Sequence, residues 1–123
     1  MTPEAALYGF LAGFGIPAYA STSVPSRADF PYLTYTLVVG DWDGGEVPMA
    51  VEVWYRTDSE ATPNAKVREI SRAIGRGGVT VPCDGGMLWV KRGSPWAQAV
   101  VDETDDKIKR RYINLSIEYL ITE

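Results

Sequence analysis

Histidine is absent from the 123 residues, and cysteine occurs once, at Cys83. Without imidazole the chain has neither the commonest general base nor the commonest metal ligand, and every catalytic triad built on it is excluded. A single thiol excludes an internal disulfide framework and any multi-cysteine metal site, so cytoplasmic synthesis is the default expectation. No run approaches the roughly 20 apolar residues that a bilayer crossing needs, and the apolar start, Ala5 to Phe14, lacks a basic lead-in and is interrupted by Gly9 and Gly13. No membrane association is expected. Basic residues are scarce too, 12 Lys and Arg against 16 Asp and Glu, which disfavours an affinity built on phosphate contacts.

What is present suits one domain over 1–123, with 46% hydrophobic residues, 12 Gly and 8 Pro. The charge is divided along the chain. Residues 1–61 carry a net charge of −6 and residues 62–123 a net of +2, the division that head-to-tail contact between copies can use.

Thr2 and Pro3 open a helix whose Leu7, Phe10, Leu11 and Phe14 line one face before Gly15 and Pro17 stop it. Ile16 to Pro31 reads as a long irregular connection, and Tyr32 to Val39 as a strand well inside a sheet. Gly40 to Pro48 is turn chemistry joining it to an antiparallel strand, Met49 to Thr57. Thr62 and Pro63 open a second helix, with Val67, Ile70 and Ile74 inward and Lys66, Arg68, Arg72 and Arg76 outward, ended at Gly75. A hairpin pairs Val79–Cys83 with Met87–Lys91, Gly93 to Ala99 reads as a loop, and Asp102 to Arg111 as a charged run. Ile113, Leu115, Ile117 and Tyr119 alternate along a final strand. The expected fold is α+β, a single mixed or antiparallel sheet packed with two helices.

No catalytic constellation emerges, so no enzyme activity, cofactor or metal is expected. Asp41, Asp43 and Glu46 lack the spacing of a calcium loop. Gly75 to Gly78 follow a helix and open a strand, the reverse of a phosphate-cradling loop. Cys83 has no base beside it. Trp54 and Trp89 fall on strands, as core or subunit contacts. Trp42 and Trp96 fall in loops, either as anchors for a partner or packed down on their own domain.

Several segments in order resemble one family. Phe30-Pro31-Tyr32-Leu33-Thr34-Tyr35, Val51-Glu52-Val53-Trp54-Tyr55-Arg56 and Glu69-Ile70-Ser71-Arg72-Ala73-Ile74-Gly75-Arg76-Gly77-Gly78 are followed by Asp84-Gly85-Gly86-Met87-Leu88-Trp89, Gly93-Ser94-Pro95-Trp96-Ala97-Gln98 and Arg110-Arg111-Tyr112-Ile113-Asn114-Leu115. This succession, over residues 28 to 121, resembles tail-terminator proteins of long-tailed bacteriophages and prophages. The resemblance implies a virion subunit in the neck region, assembled in the host cytoplasm. It would form a homo-oligomeric ring, commonly a hexamer, on the head-proximal end of the tail tube, contacting tail tube and head-completion or neck proteins while DNA passes with only transient contact. Expected interface residues are Asp41, Trp42 and Asp43 on one side, and Lys66, Arg68, Arg72, Arg76, Pro95 and Trp96 on others. The cationic helix face would oppose Asp41 and Asp43 of a neighbour. Alternatives are a head-closure or minor capsid protein of the neck, a monomeric cytosolic binding module, and an enzyme using carboxylates.

Overall fold

The computed structural model describes residues 1–39, 41–42 and 44–121. Helix α1 (Pro3–Leu11) starts as its sequence dictates, with the Thr2 hydroxyl accepting from the Ala5 amide at 3.1 Å, and a 3₁₀ turn (Ala12–Phe14) carries it to Gly15. Strands β1 (Ala18–Ala20), β2 (Tyr32–Tyr35) and β3 (Val47–Arg56) precede helix α2 (Ala61–Ile74), and β4 (Val79–Cys83), β5 (Gly86–Val101) and β6 (Ile108–Ile121) follow it. They form one mixed sheet in the order β1-β2-β3-β6-β5-β4, antiparallel except for the β1–β2 pair. The α+β expectation therefore holds, with two helices and one sheet.

Both helices lie on the same face. Leu7 and Leu11 of α1 and Val67, Ile70 and Ile74 of α2 close over Leu33, Val51, Val53, Leu88, Val90, Ile113, Leu115 and Ile117, which alternate on the strands beneath. The period-2 pattern of β3 and β6 sets this register, pairing Val51 with Ile113 and Met49 with Leu115. Among the described residues the opposite face carries no helix. It holds Tyr32 stacked on Trp54 with ring centroids 5.8 Å apart, the Arg110 guanidinium 4.2 Å from the Trp54 ring, and Glu52 accepting from Arg110 at 2.7 Å.

Four expectations are corrected. The Ile16 to Pro31 connection contains β1, a parallel strand of only 3 residues and so too brief to show a period. Residues Thr36 to Val39 leave the sheet after Tyr35, although the Thr36 amide still reaches the Ala50 carbonyl at 3.0 Å. Helix α2 is capped two residues earlier than Thr62: its N-cap is Glu60, whose side chain makes no cap bond, and Ser59 Oγ accepts from the Ala61 amide. Gly93 to Ala99 is not a loop but part of β5, which runs on through a register irregularity between Arg92 and Ala97.

Candidate interface sites

Asp41 lies exposed on an open groove of about 560 Å³ formed where the start of α1, the segment before β3 and the β4–β5 turn meet. Glu4, Asp84, Tyr119 and Ile121 also line it. Trp42 belongs to the groove floor and not to a loop tip. It is only 6% exposed, packs into the core and donates from Nε1 to Glu4 Oε1 at 3.1 Å, so the alternative of packing on its own domain is the one the fold adopts. Burying a ring this large against the core accounts for an aromatic among turn residues. Asp43 lies outside the described residues. Glu46, the third acid of that cluster, is ion-paired with Lys91, which also reaches Glu118 at 3.4 Å. The Lys91 hydrogen bond holds the Glu46 carboxyl below its ordinary range, and the same contact raises Lys91. Among the described residues no group of three His, Cys, Asp or Glu side chains could hold a metal ion.

Of the four cationic residues expected on the outer side of α2 and at its end, three face solvent. Arg68, Arg72 and Arg76 are exposed and make no ion pair among the described residues, Arg76 standing past the helix end at Gly75. Lys66 is a correction. Its Nζ donates to the Phe14 carbonyl at 2.6 Å and pairs with Glu69 at 2.9 Å, so it ties α2 to the end of the 3₁₀ turn and is not part of a free cationic face.

Pro95 and Trp96 sit on β5, within its irregular stretch. Pro95 is exposed and its carbonyl accepts from Asn114 Nδ2 at 2.9 Å, while Trp96 is half-buried against the core with its Nε1 buried and unpartnered among the described residues. The expectation of a loop for these two is therefore replaced by a distorted strand. Cys83 ends β4, half-buried, and burial pushes its thiol up, away from the thiolate that nucleophilic chemistry needs.

One residue that the sequence reading left inside a charged run is structurally central. Arg111 falls on the core-facing register of β6 and is only 6% exposed. Its Nε donates to Asn64 Oδ1 at 2.9 Å and one terminal nitrogen to Glu60 Oε1 at 2.7 Å, fastening the first turn of α2 to the sheet. Two-residue alternation with Ile113, Leu115 and Ile117 was the available signal. The Arg111 hydrogen bond draws Glu60 below its ordinary 4.5. A carboxylate lowered on folding contributes stability above the unfolded value and loses it as pH falls through the folded one. Denaturant titrations of Glu60→Gln are therefore expected to fall less between neutral pH and pH ~3 than those of the parent. Asp102, bonded to the Thr104 hydroxyl, and Asp105, bonded to the Lys107 amide, are lowered as well, so the acid-side slope should shrink without vanishing.

No family model and no curated protein matches the chain. Solved structures do. A chain from a structure described as the virion of a native gene transfer agent particle superposes with a TM-score of 0.70 and 19% identity, over 96% of this chain and 94% of that one. A second solved protein, whose description names no function, superposes with a TM-score of 0.63 and 14% identity, over 98% and 92% of the two chains. At these identities the likeness is one of fold.

Proposed function

We propose that this chain is a non-enzymatic structural subunit of a phage-like particle, one that closes into a ring, commonly a hexamer, at the head-proximal end of the tail tube. There it would end tube polymerisation and offer its other surface to head-completion or neck proteins. The observation that carries this reading is the likeness, end to end, to a chain described within a gene transfer agent virion, which covers 96% of this sequence at a TM-score of 0.70. The resemblance of its successive segments to tail terminators supports it, as does the uneven placement of charge. The exposed Arg68, Arg72 and Arg76 have a counterpart in Asp41, exposed on the groove where Glu4 holds Trp42 and Asp84 is paired with the Met1 ammonium. Charges of opposite sign on different elements of one chain favour a heterologous contact between copies, which closes when its rotation divides a full turn. The net charge of −4 suits a passage that DNA crosses without being held.

Native mass spectrometry with negative-stain imaging tests the ring, and mixing with sheared tail tubes tests where it sits. Rings that cap one tube end are expected. Binding to the portal complex in place of tube ends would identify a neck component instead. The double variant Arg72→Glu, Arg76→Glu is expected to lose rings, and adding Asp41→Arg to restore a measurable fraction of them. Rings unchanged by the double reversal would remove the charge contact from the reading.

A further inference from the structure

Among the described residues the outer edge strands are short or covered, and the Val47–Ala50 stretch of β3 that runs beyond β2 is interrupted by Pro48. Strand β1 has 3 residues, and β4 contains Pro82 and is flanked by the chain start, whose Met1 carbonyl accepts from the Asp84 amide at 2.8 Å. The exception is the second half of β5. Strand β4 pairs with β5 only over Gly86–Val90, so Ala97–Val101 has β6 on one side and no strand on the other. Among the described residues its backbone makes no hydrogen bond outside the β5–β6 ladder. In an antiparallel pair every second residue turns its N–H and C=O away from the partner, so this run offers unpaired groups in a row. It has none of the usual protections, neither charge nor proline, and Val101 is 82% exposed. Beside it a groove of about 470 Å³ separates Ala97 and Ala99 from Asn64 and Arg68 of α2.

The same chain holds a strand-like segment that joins no ladder among the described residues. Leu37-Val38-Val39 continues β2 in sequence character, and its side chains still alternate: Val38 packs against the core while Leu37 and Val39 are 44% and 77% exposed. It cannot reach the β5 edge of its own subunit. Strands β3 and β6 lie between, about 14 Å of sheet at the usual strand spacing. The direction is also wrong. Beyond Tyr35, which pairs with Val51, β2 heads toward the Val47 end of β3, whereas Ala97–Val101 lies against Ile113 to Lys109 at the Arg56 end.

We propose that Leu37–Val39 of one subunit adds as a strand to the Ala97–Val101 edge of a second copy. The donor and acceptor sit at opposite ends and on opposite sides of the sheet, so each copy can give and receive at once. Main-chain hydrogen bonds supply the attachment, and the small Ala97 and Ala99 leave room for the branched donor side chains in the groove. This inference rests on the self-assembly part of the proposed function and not on its position in a particle.

The test uses the full chain carrying Cys83→Ser. One sample has Leu37→Cys or Val39→Cys, the other Ala99→Cys or Val101→Cys, and the two are mixed and treated with a short bismaleimide. Covalent dimers containing one chain of each kind are expected in at least one of the four mixtures. Hydrogen exchange on the unmutated chain should show the alternate amides of 97–101 that point away from β6 slowed by about a hundredfold on assembly, because they become part of a second ladder. Native mass spectra that show assembly, with no cross-link and no slowed amides, would overturn strand addition and leave the self-assembly reading standing. A chain that stays monomeric at every concentration overturns both.

Discussion

Substituting Gly86 with alanine should cost about 3 kcal/mol or more of stability, lowering the melting temperature by roughly 10 °C in a chain of this size. Gly86 begins β5 opposite Ile121 of β6, and a Cβ at that position would run into the Leu120 carbonyl oxygen, with the Leu120 carbonyl carbon at 3.0 Å and Ile121 Cα at 3.1 Å. All three obstacles are backbone. A side chain in the way could swing aside, but here two paired strands must part, which opens the ladder that supports Leu88 and Val90 in the core. The matched control is Gly77→Ala. That site has nothing within 4 Å of an added Cβ and no left-handed φ, so the change should fall within about 0.5 kcal/mol of neutral. Thermal melts of the two variants side by side check the argument, and equal melting temperatures would end it.

Arg111→Ala should be nearly as damaging, about 3 kcal/mol, because it removes the charged hydrogen bonds to Glu60 and Asn64 and empties a core-facing site. Arg111→Met separates the two causes. It keeps the volume, and it leaves no stranded charge, since the Glu60 side chain is 62% exposed and returns to water while that of Arg111 was 8% exposed. A buried ion pair replaced by an apolar side chain of like size often loses little, so about 1 kcal/mol is expected for the methionine variant. A guanidinium near a helix start also opposes the helix dipole. The Glu60 carboxylate, bonded to that guanidinium, offsets its charge at the helix start and is thereby turned away from a cap bond of its own.

Elements with a strong period or a stop signal could be read directly from the chain. Thr2-Pro3, the 67/70/74 spacing and the alternation of Ile113, Leu115 and Ile117 each put apolar groups on one face, and each is where the reading places it. Failures came where local chemistry was overruled by distant partners. Gly93 to Ala99 has turn composition, yet β6 extends past it and holds it in the sheet. Trp42 has loop neighbours, yet Glu4, 38 positions away, gives its indole N–H a partner. Lys66 looks like any helix-surface cation until the Phe14 carbonyl, left open by the 3₁₀ turn, claims it. Of the expected interface residues, Asp41, Arg68, Arg72, Arg76 and Pro95 are exposed as a contact with another molecule requires, and the exposure of each depends on packing that residue type alone does not give.

The two layers of the subunit differ in how they treat their charges. On the open sheet face Arg110 is matched by Glu52, and Lys91 by Glu46 and Glu118, so counter-charges sit beside one another. On the helix layer Arg68, Arg72 and Arg76 have no such companions among the described residues. Ionic strength therefore separates the two kinds of contact: at about 1 M salt, where the screening length shrinks to about 3 Å, any attraction made by the arginine row fades while backbone ladders are little affected. Copies joined by both kinds of contact would loosen in high salt without coming apart, like a joint with one latch that dissolves and another that does not.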